Sequence, residues 1–136
     1  MNYNDILDIK EIKTFNVEAA DKAKKQWDSI AKPLYGLGRF EEMIIKIAGI
    51  TGDSKVNILK KAVVVMCSDN GVVEEGVTQT DQSVTKIVAE NIANGVASVG
   101  KMAQNANADV FAVDIGIASD TDCNKILHKK ISYGTH

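Results

Sequence analysis

No apolar run in this chain is long enough to cross a bilayer. The longest uncharged one, Ala62 to Cys67, falls far short of the roughly 20 residues that a membrane helix needs. The first ten residues carry Asp5 and Asp8 and no apolar stretch, so they do not read as a secretory leader. Clustered basic charge is also lacking: 16 Lys and Arg stand against 18 Asp and Glu, a net charge of -2, and the lysines scatter apart from pairs such as Lys60-Lys61 and Lys129-Lys130. A phosphate backbone finds no stripe to neutralise it, which argues against nucleic acid as a partner. Cysteine and histidine number two each. Cys67 and Cys123 have no CxxC or HxxxH neighbour, and His128 and His136 do not complete a set, so no metal site is expected and the isolated thiols fit a reducing, cytoplasmic setting. There is no GxGxxG or Walker segment to cradle a dinucleotide or triphosphate, and no cofactor is expected. Neither cysteine has a local histidine and no serine sits in a GxSxG elbow, so nucleophilic catalysis has little support.

What is present is ordinary globular material, 45% apolar and 25% charged. Asn16 can cap a helix beginning at Val17, with Val17, Ala20, Ala23, Trp27 and Ile30 on one face, ending by Pro33. After a turn marked by Gly36 and Gly38, Phe40, Met43, Ile44, Ile47 and Ala48 recur at helical spacing. Trp27, Phe40 and Met43 read as core. Gly49 and Thr51-Gly52-Asp53-Ser54 have the composition of a loop.

From Ala62 the pattern changes. Ala62 to Cys67 is short, continuously apolar and β-branched at its centre, which suits a strand covered on both faces in a parallel sheet; a buried helix of six residues is the poorer alternative. Thr80 and Asp81 offer a cap for a helix with Val84, Ile87, Val88 and Ile92 inward, ending near Asn94-Gly95. Val96, Val99, Met102 and Ala103 continue the stripe, so the crossover is long or broken. Val110 to Val113 is a second strand, closed by Asp114-Ile115-Gly116, and a third is expected around Lys130 to Tyr133. The fold class is α/β: a helical arm over residues 1–50, then over residues 51–136 the βαβ start of a parallel, Rossmann-like sheet. Two firm strands are fewer than a doubly wound sheet uses, so an incomplete domain is expected.

Ligands in such sheets bind beyond the carboxyl ends of the strands. Asp69 and Asp114 follow the two strands. As neighbours they would line one crevice, able to bond a substrate or hold a cation; the equal alternative is that each only caps its own loop. Thr80 and Asp81 stand at a helix N-terminus, where free N–H groups favour an anion or a ligand's acceptor. Capping alone also accounts for both. Cys67 reads as an inert core thiol.

The ordered segments resemble one family. Lys32-Pro33-Leu34-Tyr35-Gly36-Leu37-Gly38-Arg39-Phe40-Glu41 with Ile47-Ala48-Gly49, then Met66-Cys67-Ser68-Asp69-Asn70-Gly71-Val72, Glu75-Gly76-Val77, Val84-Thr85, Asn94-Gly95, Val113-Asp114-Ile115-Gly116-Ile117 and Gly134-Thr135 are similar to the nicotinate-nucleotide–dimethylbenzimidazole phosphoribosyltransferases. The resemblance implies phosphoribose transfer from nicotinate mononucleotide to 5,6-dimethylbenzimidazole or a related base, giving α-ribazole phosphate for the lower ligand of cobalamin. It places the family's catalytic glutamates and glycine-rich phosphate-binding segment past His136, so no catalytic residue transfers to this chain, which alone would be inactive. It implies a benzimidazole pocket at Thr80, Asp81 and Val88, with Asp69 at the strand end as a further substrate-binding residue. Asp81 stands where the family has proline, Val88 where it has glutamine, and Asn70 where it has histidine. Small-molecule substrates and a homodimer, or pairing with a carboxyl-terminal part, complete the expectation. A different class of reading is a non-catalytic regulatory module with an acidic pocket at Asp69 and Asp114, for which the sequence offers no lysine at a convincing place after a later strand. A structural subunit completed by a separately encoded partner is a third.

Overall fold

A computed structural model describes residues 12–134. The acidic first decade and the Thr135-His136 end, both used above, lie outside the described residues. The described chain packs as two units, residues 12–58 and 59–134.

In the first unit, Asn16 caps helix α1 (Val17–Asp28) by accepting the Ala19 N–H at 2.9 Å. The buried face is Ala19, Ala20 and Ala23, while Val17 and Ile30, expected inside, are exposed. Three alanines let α1 approach helix α2 (Arg39–Thr51) closely, which pushes the larger side chains to the flanks. Phe40 and Met43 are likewise about half exposed, against the core reading. Helix α2 runs through Gly49 and Thr51, where a loop was expected. The Phe15 ring lies so close to Gly49 that a Cβ there would fall 2.1 Å from it, and Gly52, at φ 73°, ends the helix by donating to Ala48 O. Lys32 and Glu41, nine positions apart in the sequence and across the turn, form an ion pair at 2.9 Å. Glu41 also accepts the Leu37 N–H at 3.0 Å. The Lys32 ammonium and the Leu37 amide hold its carboxyl below the usual carboxylate range.

The second unit is a three-stranded parallel sheet in the order β1-β2-β3, made of β1 (Ala62–Ser68), β2 (Asp109–Gly116) and β3 (Ile126–His128). A single 3-10 turn, Val72–Glu75, follows β1, and helices α3 (Ser83–Ala93) and α4 (Ser98–Asn105) make the crossover, broken at Asn94 to Ala97 as the glycine signalled. Gly95 takes φ 72°, and a Cβ on Gly100 would sit 2.8 Å from the Gly95 backbone, so this corner tolerates no side chain at residue 100. Cys67, Ala89, Ile92, Ala112, Ile117 and Ile126 form the core. On the crossover helices Ala89, Ile92, Gly100 and Ala103 are inward, whereas Ile87, Val88 and Met102, expected inward, are exposed, as is Val96 in the break between them.

Two expectations are corrected. Burial on both faces holds for β2, where Phe111 to Asp114 are all buried, but β1 alternates, leaving Ala62, Val64 and Met66 exposed. The third strand is Ile126–His128 rather than Lys130 to Tyr133. It pairs with Ala112 to Asp114, and the chain then runs on beside β2 without strand geometry, donating from Ile131 N to Ile115 O and from Gly134 N to Gly116 O. The reason is Lys130, whose side chain is drawn down onto Asp114.

Candidate functional site

At the carboxyl end of β1 the ladder breaks. Cys67 pairs with Asp114 but Ser68 pairs with Gly116, so β2 carries one extra residue there. Asp114 is the cause. Its Oδ1 accepts the N–H groups of Gly116 (3.0 Å) and Ile117 (2.9 Å), taking them out of the ladder. Its Oδ2 faces the Lys130 ammonium at 3.1 Å, and the side chain is fully buried. Lys130 in turn donates to the carbonyls of Ile117 and Ser119, and lies over the Tyr133 ring, 4.4 Å from its centroid. Lys130 is therefore the lysine after a later strand that sequence reasoning found no place for.

Asp69 is turned elsewhere. It is buried, and both oxygens are engaged: Oδ1 accepts the Thr85 hydroxyl at 2.6 Å and Oδ2 the Ala118 N–H at 2.7 Å. The carboxylate thus ties together the end of β1, the first turn of α3 and the loop after β2. Asp69 follows the end of β1 and Asp114 lies within the neighbouring β2, but each is held by its own partners and they do not share a crevice, which corrects the acidic-pocket expectation. Among the described residues no group of three or more His, Cys, Asp or Glu could hold a metal ion.

The carboxyl end of β1, the segment through residue 82 and the inner face of α3 enclose a cavity of about 410 Å³, within the range of small-molecule sites. Asp69, Thr80, Asp81 and Val88 all border it. Its inner end is Cys67, Ala89 and Ile92, all buried, and its long wall is Val65, Val84 and Val88. Burial, and then the Asp114 carboxylate, push the Cys67 thiol up, which suits a wall residue rather than a nucleophile. Hydroxyls gather at the outer end, where Thr78 Oγ1 lies 3.3 Å from Thr80 Oγ1 and accepts the Thr80 N–H at 3.2 Å.

Helix α3 starts later than expected. Gln82, not Thr80 or Asp81, occupies the cap position, and its side chain makes no capping bond. Asp81 supplies the capping oxygen instead: its Oδ1 accepts the N–H of Ser83 at 2.9 Å and its hydroxyl at 2.5 Å. These two donors hold the Asp81 carboxyl below the usual range, so it is charged at neutral pH at the cavity's exposed rim. Sequence reasoning gave Thr85 no role, yet it is the residue that joins the cavity wall to Asp69. Its spacing, one helical turn beyond Asp81, was the available signal.

The family model described as phosphoribosyltransferase matches residues 12–136. The chain is 44% identical over 127 residues to the nicotinate-nucleotide–dimethylbenzimidazole phosphoribosyltransferase of Clostridium tetani, covering 93% of this chain and 35% of that protein. To the protein of the same name from Ruminiclostridium cellulolyticum it is 42% identical, covering 93% and 36%. The crystal structure of the corresponding protein from Thermus thermophilus superposes with a TM-score of 0.75 at 32% identity, covering 88% of this chain and 36% of that one. The chain thus spans about a third of the length of the relatives it matches. It belongs to the phosphoribosyltransferase family of these relatives, the nicotinate-nucleotide–dimethylbenzimidazole phosphoribosyltransferases.

Proposed function

We propose that this chain provides the acceptor side of a phosphoribosyl transfer from nicotinate mononucleotide to 5,6-dimethylbenzimidazole or a related base, giving α-ribazole phosphate for the cobalamin lower ligand. The observation that carries the reading is the apolar cavity at the carboxyl end of β1, bordered by Thr80, Asp81, Val88 and Asp69, in a chain of this family. The base lies with its faces against Val65, Val84 and Val88, and the hydroxyl of Thr80 meets its edge. Asp69 serves the acceptor through Thr85, whose position on α3 it holds.

In the transfer, an azole nitrogen forms a bond to the ribose anomeric carbon while the bond from that carbon to the nicotinate nitrogen breaks, and nicotinate leaves with the electron pair. A carboxylate takes the azole proton. We assign that carboxylate, and the grip on the phosphate, to the roughly two thirds of the relatives' length that these 136 residues do not match. This chain's part is to orient the acceptor, which supplies rate through positioning. Asp81, with its carboxyl held low, is a poor base. The reaction belongs in the cytoplasm, consistent with the unpaired Cys67 and Cys123. The exposed side chains Val64 and Met66 would be covered in a homodimer or against a carboxyl-terminal part.

The test is formation of α-ribazole phosphate from nicotinate mononucleotide and dimethylbenzimidazole, comparing the 136-residue chain with the product of its complete reading frame. Activity confined to the complete product is expected. Turnover by the 136 residues alone would overturn the placement of the base, and silence from both, each folded, would overturn the reaction.

A further inference from the structure

The cavity just described is polar in an uneven way. Its lining is largely hydrocarbon with one thiol, among which Asp69 and Thr85 are bonded to each other, and its outer end holds hydroxyls and the exposed carboxylate of Asp81. Asp81 is not a loosely waving surface carboxylate. Ser83 grips Oδ1 through two hydrogen bonds, at 2.9 and 2.5 Å, while Oδ2 has no partner among the described residues. A carboxylate anchored by one oxygen presents the other in a set direction, ready to accept a hydrogen bond. Asp69, the other acid on the cavity, has both oxygens taken by Thr85 and Ala118. Among the described residues no lysine or arginine borders the cavity to balance Asp81.

Resting on the phosphoribosyl-transfer reading, we propose that Asp81 sets the acceptor class. The cavity takes a flat, apolar-faced azole, favours a ring substituent that offers an N–H donor to Asp81 at the mouth, and disfavours one that brings an anionic group there. The hydrocarbon wall grips the ring faces of any such base and does not discriminate among them. Discrimination therefore falls to the mouth, where an N–H finds a charged acceptor and a carboxylate meets a like charge.

Two benzimidazoles of similar size separate the cases: 5-aminobenzimidazole brings a donor and benzimidazole-5-carboxylate brings an anion. With nicotinate mononucleotide and the product of the complete reading frame, kcat/KM is measured for both, for the parent and for Asp81→Asn and Asp81→Ser. Both variants keep a capping oxygen for Ser83. The parent is expected to favour the amine. Because Asp81 is exposed, the ratio should fall by about fivefold in either variant, the scale of a surface charge pair. The change should sit in KM for the carboxylate and shrink in high salt. An unchanged ratio in both variants, with transfer to dimethylbenzimidazole intact in the parent, overturns this inference alone and leaves Asp81 as a cap. Absence of transfer to every base by the parent overturns the reaction and this inference with it.

Discussion

Replacing Lys130 with methionine leaves Asp114 buried without a counter-charge. The pair sits at 3.1 Å with the aspartate fully buried and the lysine side chain 16% exposed. At an effective dielectric of about 20 the attraction at that distance is on the order of 5 kcal/mol, offset in part by desolvation of both ions. Removing one partner of such a pair commonly costs about 3 to 5 kcal/mol. The methionine also deprives the Ile117 and Ser119 carbonyls of a donor. Against a whole-domain stability of roughly 5 to 15 kcal/mol this is a large loss. Urea unfolding followed by circular dichroism is the assay; with a slope near 2 kcal/mol per molar, the midpoint should fall by about 2 M. The double variant Asp114→Asn/Lys130→Met keeps an Oδ1 for Gly116 and Ile117 and removes the buried charge, so it should regain roughly half of that loss. A midpoint shift below about 0.5 M for Lys130→Met corresponds to a weak, surface-like pair and would refute the reasoning, as would a double variant no more stable than the single one.

Two further outcomes follow from particular contacts. Gly100→Ala drives a Cβ to 2.8 Å from the Gly95 backbone, so it should destabilise the second unit by about 1 to 3 kcal/mol, read as a lowered thermal midpoint, whereas Gly76→Ser, with nothing near its Cβ position, should show only its backbone strain. Glu41 has its carboxyl held below the ordinary 4.5 by Lys32 and the Leu37 amide; a lowered folded value contributes stability that is present above the unfolded value and lost as pH falls through the folded one. Acid titration of the parent should therefore lose helix below pH 4.5, and Glu41→Gln should remove that part of the pH dependence.

Much of the architecture was legible because its signals are local. Asn16 caps its helix, Asn94-Gly95 breaks the crossover, and the Ala62 and Val110 runs are parallel neighbours, each from a few adjacent residues. Burial was legible less often, since it depends on what lies opposite. Helical spacing marks Phe40, Met43 and Ile87 as inward, but the buried helix positions go mostly to small residues such as Ala19, Ala20, Ala23, Ala48 and Ala89. The third strand was misplaced because Ile131 and Tyr133 alternate as strand residues do, and nothing local says that Lys130 will be pulled to Asp114. For the site, Asp69, Thr80, Asp81 and Val88 all border the cavity, but Thr85 carried no signal strong enough to be named as a site residue, and the bonds were not legible: Asp69 reaches Thr85 and Ala118 across 16 and 49 positions, distances at which sequence pattern is silent.

The broken crossover bears on how the chain folds. Ala62 and Asp109 are register partners, and everything from β1 to β2, including both helices, lies between them in the sequence. Closing so long a loop costs entropy before a single sheet bond repays it, whereas α1 and α2 meet across a short turn. The helical pair should therefore form early and the sheet late, after α3 and α4 have shortened the chain between the strands. During that interval β1, with Val64 and Met66 bare, is the segment most exposed to pairing with the wrong chain.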